Sequence, residues 1–231
     1  MRLLKPCLDP PAAAPSWRSG PVLARVAPFF VFLALTFCQG QFGPASIYWF
    51  YLAKTVVGAW LVWEMYPFVS EMRWALSWEA IAVGIAVFVM WVGIDPLYPQ
   101  MKPSGSAWNP QGHFGQGSPL ALILVVTRLV GVTVVVPPLE EVFYRSFLYR
   151  YLVKADFQSV PLNRFAPVPF LATALFFGFE HYQWLAGILC GAAYQWLVWR
   201  KNRLGDAMTA HGITNLLLGL WVLWKHAWQF W

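Results

Sequence analysis

Charge is scarce in this sequence: 11% of its 231 residues are Asp, Glu, Lys or Arg, against 59% hydrophobic residues, whereas soluble chains carry about a quarter charged. That scarcity argues against an ordinary soluble domain. Windows of about 18 residues holding one charge or none are long enough to cross a hydrocarbon core of ~30 Å. Cysteine is also scarce. Cys7, Cys38 and Cys190 are scattered with no CxxC pair, so neither a disulfide framework nor a zinc ribbon is expected. Cys190 reads as a small apolar core residue. HExxH is missing as well, which lowers the case for a zinc peptidase. The net charge of +6 implies no nucleic-acid partner, because the basic residues lie between apolar windows rather than along one polar face.

What remains is an all-α pattern. Apolar windows over residues 22–39, 45–63, 76–94, 119–153, 168–181, 184–199 and 206–224 predict a polytopic transmembrane helical bundle of about seven to eight membrane helices. Residues 1–21 include MRLLKPCLDPPAAAPSWRSGP, too proline-rich for a signal-peptide core, and are expected to form a disordered or interfacial tail. Residues 22–231 then make a single transmembrane domain with a candidate core over about 119–224. Fifteen tryptophans, many near window ends and in WVLWKHAWQFW, suit aromatic belts at the lipid headgroups. Basic residues cluster before the first window, after the double glutamate (Arg150, Lys154, Arg164) and in RKNR, while 95–118 holds only Lys102. With seven crossings that bias places the N-terminus in the cytoplasm and the C-terminus outside. Lys54 and Arg128 read as anchors or structural partners. Ala186, Gly187, Gly191, Ala192 and Ala193 make a small-residue face for helix packing.

Three polar constellations interrupt this apolar background. VVVPPLEEVFYRSFLYRYLV carries Glu140, Glu141 and Arg145. Glu141 and Arg145 are four apart and share a helical face, while Glu140 is turned roughly 100° from Glu141 and lacks that partner. A carboxylate in apolar surroundings beside a like charge is suited to act as a base near neutral pH; a salt-bridged helix end at the membrane surface is the structural alternative. FFGFEHYQW places Phe177 and His181 on one face, with Glu180 facing another way at the end of the window. A lone membrane histidine is also an ordinary interior hydrogen-bonding group. HGITN places His211 and Asn215 four apart, suited either to a developing oxyanion or to interhelical hydrogen bonds. All three fall in the C-terminal half, and polar groups at membrane depth commonly face one cavity.

The order EExxxR, FxxxH, HxxxN, read as Glu140–Glu141–Arg145, Phe177–His181 and His211–Asn215, resembles the CAAX-prenyl-protease and bacteriocin-processing family of glutamic intramembrane proteases. WVGIDPLYP, DFQSVPLNRF and the WQFW ending further resemble a bacterial branch found with exosortase and PEP-CTERM sorting systems. The resemblance implies an intramembrane endopeptidase of the bacterial cytoplasmic membrane, acting on a membrane protein or peptide, with exosortase-system proteins as possible partners. It implies Glu140 as the base on water, His181 helping to hold that water, and His211 with Asn215 as the oxyanion hole. Glu141, Arg145 and Phe177 would maintain the site, and no cofactor is implied. Glu140 must then lie deep, with the helix after Pro138 continuing in the membrane to about Leu152 and Pro137–Pro138 kinking or breaking it just before the glutamates. Three alternatives stand beside this: a non-proteolytic scaffold or immunity-type protein of the same fold, a proton-relay transporter, and a zinc hydrolase ligated by Glu140, His181 and His211.

Overall fold

A computed structural model describes residues 20–101 and 107–231. The tail expected over 1–21, apart from its last two residues, lies outside the described residues, as do Cys7 and Lys102. The regular structure among the described residues is all helical. It comprises α1 Pro21–Phe37, α2 Ser46–Met65, α3 Trp78–Ile94, α4 Pro110–Phe114, α5 Pro119–Val153, α6 Pro167–Phe179, α7 Trp184–Lys201 and α8 Gly205–Lys225. Seven of these coincide with the seven apolar windows, each boundary within two residues. The fold is an all-α membrane helical bundle. Three of its helices, Trp78–Leu97, Pro119–Val153 and Gly205–Lys225, are long and apolar enough to cross a membrane.

Local chemistry sets the ends. Pro21, Pro119 and Pro167 occupy first helical positions, where the missing N–H has no intrahelical role. Ser77 caps α3 by accepting from the Ala80 N–H. Asn202 and His226 close α7 and α8 in the left-handed region.

The long helix α5 touches α1, α2, α6 and α8, while α6 packs on α7 and α8 on α3. The small-residue face of α7 meets α6: a Cβ on Gly187 would lie 2.9 Å from the Gly178 Cα, so this crossing needs glycine. Side chains such as Trp63, Trp78 and Val168 are more than 70% exposed, as a lipid-facing surface requires and an aqueous one penalises. The tryptophans expected as anchors therefore divide. Trp91 and Trp108 are buried and belong to the interior, because each packs against a polar or cationic side chain there.

One ion cluster fastens α1 to the end of α5. Glu71, between α2 and α3, accepts from Arg25 Nε at 3.0 Å and Arg150 Nη2 at 2.6 Å, and from the Ser146 hydroxyl. Burial pushes the Glu71 carboxyl up, but the Ser146 hydroxyl and the two guanidiniums outweigh it and bring it down to about 2. A carboxyl lowered on folding contributes stability that is present above its unfolded value and is lost as pH falls through its folded one. The detergent-solubilised protein is therefore expected to lose thermal stability between pH 4.5 and about 2, and Glu71→Gln to start less stable and lose less over that window.

Candidate active site

The helix α5 runs unbroken from Pro119 to Val153, so of the kink or break expected at Pro137–Pro138 the break does not occur. The irregularity falls instead at two widened, π-type turns, Gly131–Val135 and Val142–Leu148, on either side of the glutamates. The first accommodates the prolines. In it the Val136 N–H bonds the Gly131 carbonyl. The next bond of that register would run from residue 137 to the Val132 carbonyl, and Pro137 has no N–H to donate. Val132 O is thus freed, and Asn215 Nδ2 of α8 donates to it at 2.8 Å. Gly212 lets α8 come this close, since a Cβ there would stand 2.7 Å from the Thr133 carbonyl.

Glu141 and Arg145 pair as their spacing predicts, with Arg145 Nη1 donating to Glu141 Oε1 at 3.2 Å and both side chains 0% exposed. Arg145 Nη2 donates to the Gly191 carbonyl at 3.1 Å, so the small-residue stretch of α7 also supplies an acceptor to the site. The guanidinium lies 4.4 Å from the centre of the Phe177 ring. His211 Nδ1 approaches the same Glu141 oxygen at 3.0 Å. With an ionised Glu141 accepting, Nδ1 carries the proton and Nε2 turns towards Glu140, whose Oε2 is 3.9 Å away. Glu140, Glu141 and His211 are thus neighbours.

Glu140 Oε2 is buried with no hydrogen-bond partner among the described residues. It faces a cavity of about 320 Å³ also lined by His181, His211, Asn215 and Glu180. The His181 ring lies 5.0 Å from Phe177 and 5.3 Å, edge to face, from Trp91. Its Nδ1 bonds the Phe177 carbonyl at 2.8 Å, so that Nδ1 carries the hydrogen and Nε2 is left as an acceptor. Glu180 stands at the end of α6 as expected, and it also lines the cavity and interacts with the Tyr144 hydroxyl. Glu180 is the αR cap residue at the end of α6, and the His181 N–H bonds back to Gly178 O at 3.0 Å. Trp91, Tyr144 and Tyr194, whose ring stacks 5.2 Å from that of His211, escaped sequence reasoning, having no motif of their own. Among the described residues no three His, Cys, Asp or Glu side chains are placed to hold one metal ion.

A carboxylate with a buried oxygen, lining one cavity of a membrane bundle together with two imidazoles and an amide, has the groups that hydrolysis of an acyl bond requires. Residues 118–217 match the family model described as Type II CAAX prenyl endopeptidase Rce1-like. That segment, somewhat under half of the chain, carries all three constellations. No curated protein and no solved structure matches the chain.

Proposed function

We propose that the chain is an intramembrane endopeptidase in which Glu140 activates water against a peptide bond of a membrane-associated or C-terminally anchored protein. The observation that carries this reading is the Glu140 carboxylate, with one buried oxygen free of partners and His211 Nε2 3.9 Å away. Glu140 takes a proton from water held between its carboxylate and His181 Nε2, and the oxygen attacks the peptide carbonyl carbon. The carbonyl oxygen becomes an oxyanion. His211 stabilises it from Nε2 when the ring carries both protons, with Glu141 at Nδ1 supporting the positive charge. The Asn215 amide hydrogen not spent on Val132 O is a second donor. Glu140 then passes its proton to the leaving nitrogen as the C–N bond breaks, giving a carboxylic acid and an amine.

The phrases shared with the exosortase-associated branch favour sorting-signal proteins or another part of that system as substrate, in a bacterial inner membrane. The loop charges favour a cytoplasmic N-terminus. The test is incubation of the purified protein with solubilised bacterial membrane proteins, reading new peptide termini by mass spectrometry. Wild type is expected to generate termini that His181→Ala does not, undiminished by EDTA. Absence of new termini, or loss of cleavage to the chelator with recovery on adding zinc, overturns the reading.

A further inference from the structure

Two cations line the same cavity as Glu140, on parts of the chain that the catalytic reading leaves unused: Lys54 of α2 and Arg128 of α5. Lys54 is 7% exposed. Its Nζ donates to the Thr36 hydroxyl at 3.1 Å and lies 4.7 Å from the centres of the Phe32 and Tyr51 rings. Arg128 is held by aromatic rings, 4.5 Å from both Tyr51 and Trp108, and its buried Nε has no hydrogen-bond partner. Among the described residues neither cation forms an ion pair with a carboxylate.

A charge inside a membrane bundle is costly and marks a functional contact unless it is paired. These two lie against the same Tyr51 ring, 4.7 and 4.5 Å from its centre, so their mutual repulsion adds to that cost, and an anion between them would relieve it. Aromatic packing holds the guanidinium in place, and a guanidinium is shaped for a carboxylate. Lys54, Arg128 and Glu140 line one cavity, which puts the anion's position in the same chamber as the reacting bond. A volume of about 320 Å³ is at the lower end for a bound ligand, so an anion seated there belongs to a segment close to the scissile bond.

Resting on the peptidase reading, we infer that Lys54 and Arg128 form a specificity subsite for a carboxylate of the peptide substrate, borne by an acidic side chain or by the chain's own terminus. The pair acts in binding and orientation, not in the chemical step. Substrates with a carboxylate near the cleaved bond are selected over neutral ones.

The test is equilibrium dialysis of three probes against the purified full chain carrying Glu140→Gln, so that turnover does not intervene. The probes are acetyl-trileucine with a free carboxylate, acetyl-trileucine amide, and acetyl-Leu-Leu-Glu amide. At least one acidic probe is expected to bind about tenfold or more tighter than the neutral amide. Which one does so identifies the source of the carboxylate. That preference should disappear in Lys54→Met and Arg128→Gln, while Lys54→Arg, which keeps the charge, retains part of it and guards against simple misfolding. Equal binding of all three probes, no binding of either acid, or a preference that survives in both charge-removing variants overturns the subsite. The peptidase reading fails separately: an acidic preference in a protein that generates no new termini keeps the subsite and removes the hydrolysis. Cleavage indifferent to substrate charge does the reverse.

Discussion

Glu140→Gln is expected to lower kcat for peptide hydrolysis by about 10²–10⁴-fold, the range for loss of a general base, with KM changed only a fewfold. The amide has nearly the shape of the carboxylate and lacks its basicity. Because Glu140 Oε2 has no hydrogen-bond partner among the described residues, the exchange breaks no direct bond at that oxygen. Thermal stability in detergent should therefore hold or rise. A fall in kcat with KM and stability preserved identifies an interaction made in the transition state. Progress curves and melting curves on the same preparation check both halves, and a matching fall in stability would assign Glu140 to scaffolding instead.

Arg145→Met should give the largest loss of stability. The Glu141–Arg145 pair is fully enclosed, and removing one partner of a buried pair costs about 3–5 kcal/mol when the other charge is left uncompensated; Glu141 would keep only its His211 Nδ1 contact. Here the loss extends further: the Gly191 carbonyl loses its donor and Phe177 its cation. Glu141→Gln in the same background removes the stranded charge, so the double variant is expected to be more stable than Arg145→Met alone. Arg145→Lys keeps the charge but cannot reach two acceptors with one fork, and should fall between. Denaturant unfolding in micelles ranks the three variants. A double variant no more stable than Arg145→Met would show that lost packing, not the unpaired carboxylate, dominates.

Much of this arrangement was legible in the sequence because it is local. Apolar windows bounded by Pro21, Pro119 and Pro167 mark helices, and the four-residue spacings join Glu141 to Arg145 and Phe177 to His181. What stayed hidden depends on contacts distant in sequence or on departures from ideal helix. That Glu180, at the end of α6, shares a cavity with Glu140 and His181 depends on helices distant in sequence. The prolines were read as a kink or a break, but not as the widened turn ahead of them, nor could spacing show that an amide from α8 takes the freed carbonyl. Lys54 and Arg128 were read as anchors because periodicity cannot show that both side chains enter the cavity of Glu140.

The central claim is that residues from separate helices act on one reaction, and a double-mutant cycle between Glu140→Gln and His211→Ala tests it most directly. Residues working as a unit in one transition state are strongly non-additive. Once either is removed, removing the other should cost little more, so the double variant's cleavage rate should lie close to that of the slower single variant. Losses that multiply, or a single variant that cleaves like wild type, would contradict the shared site.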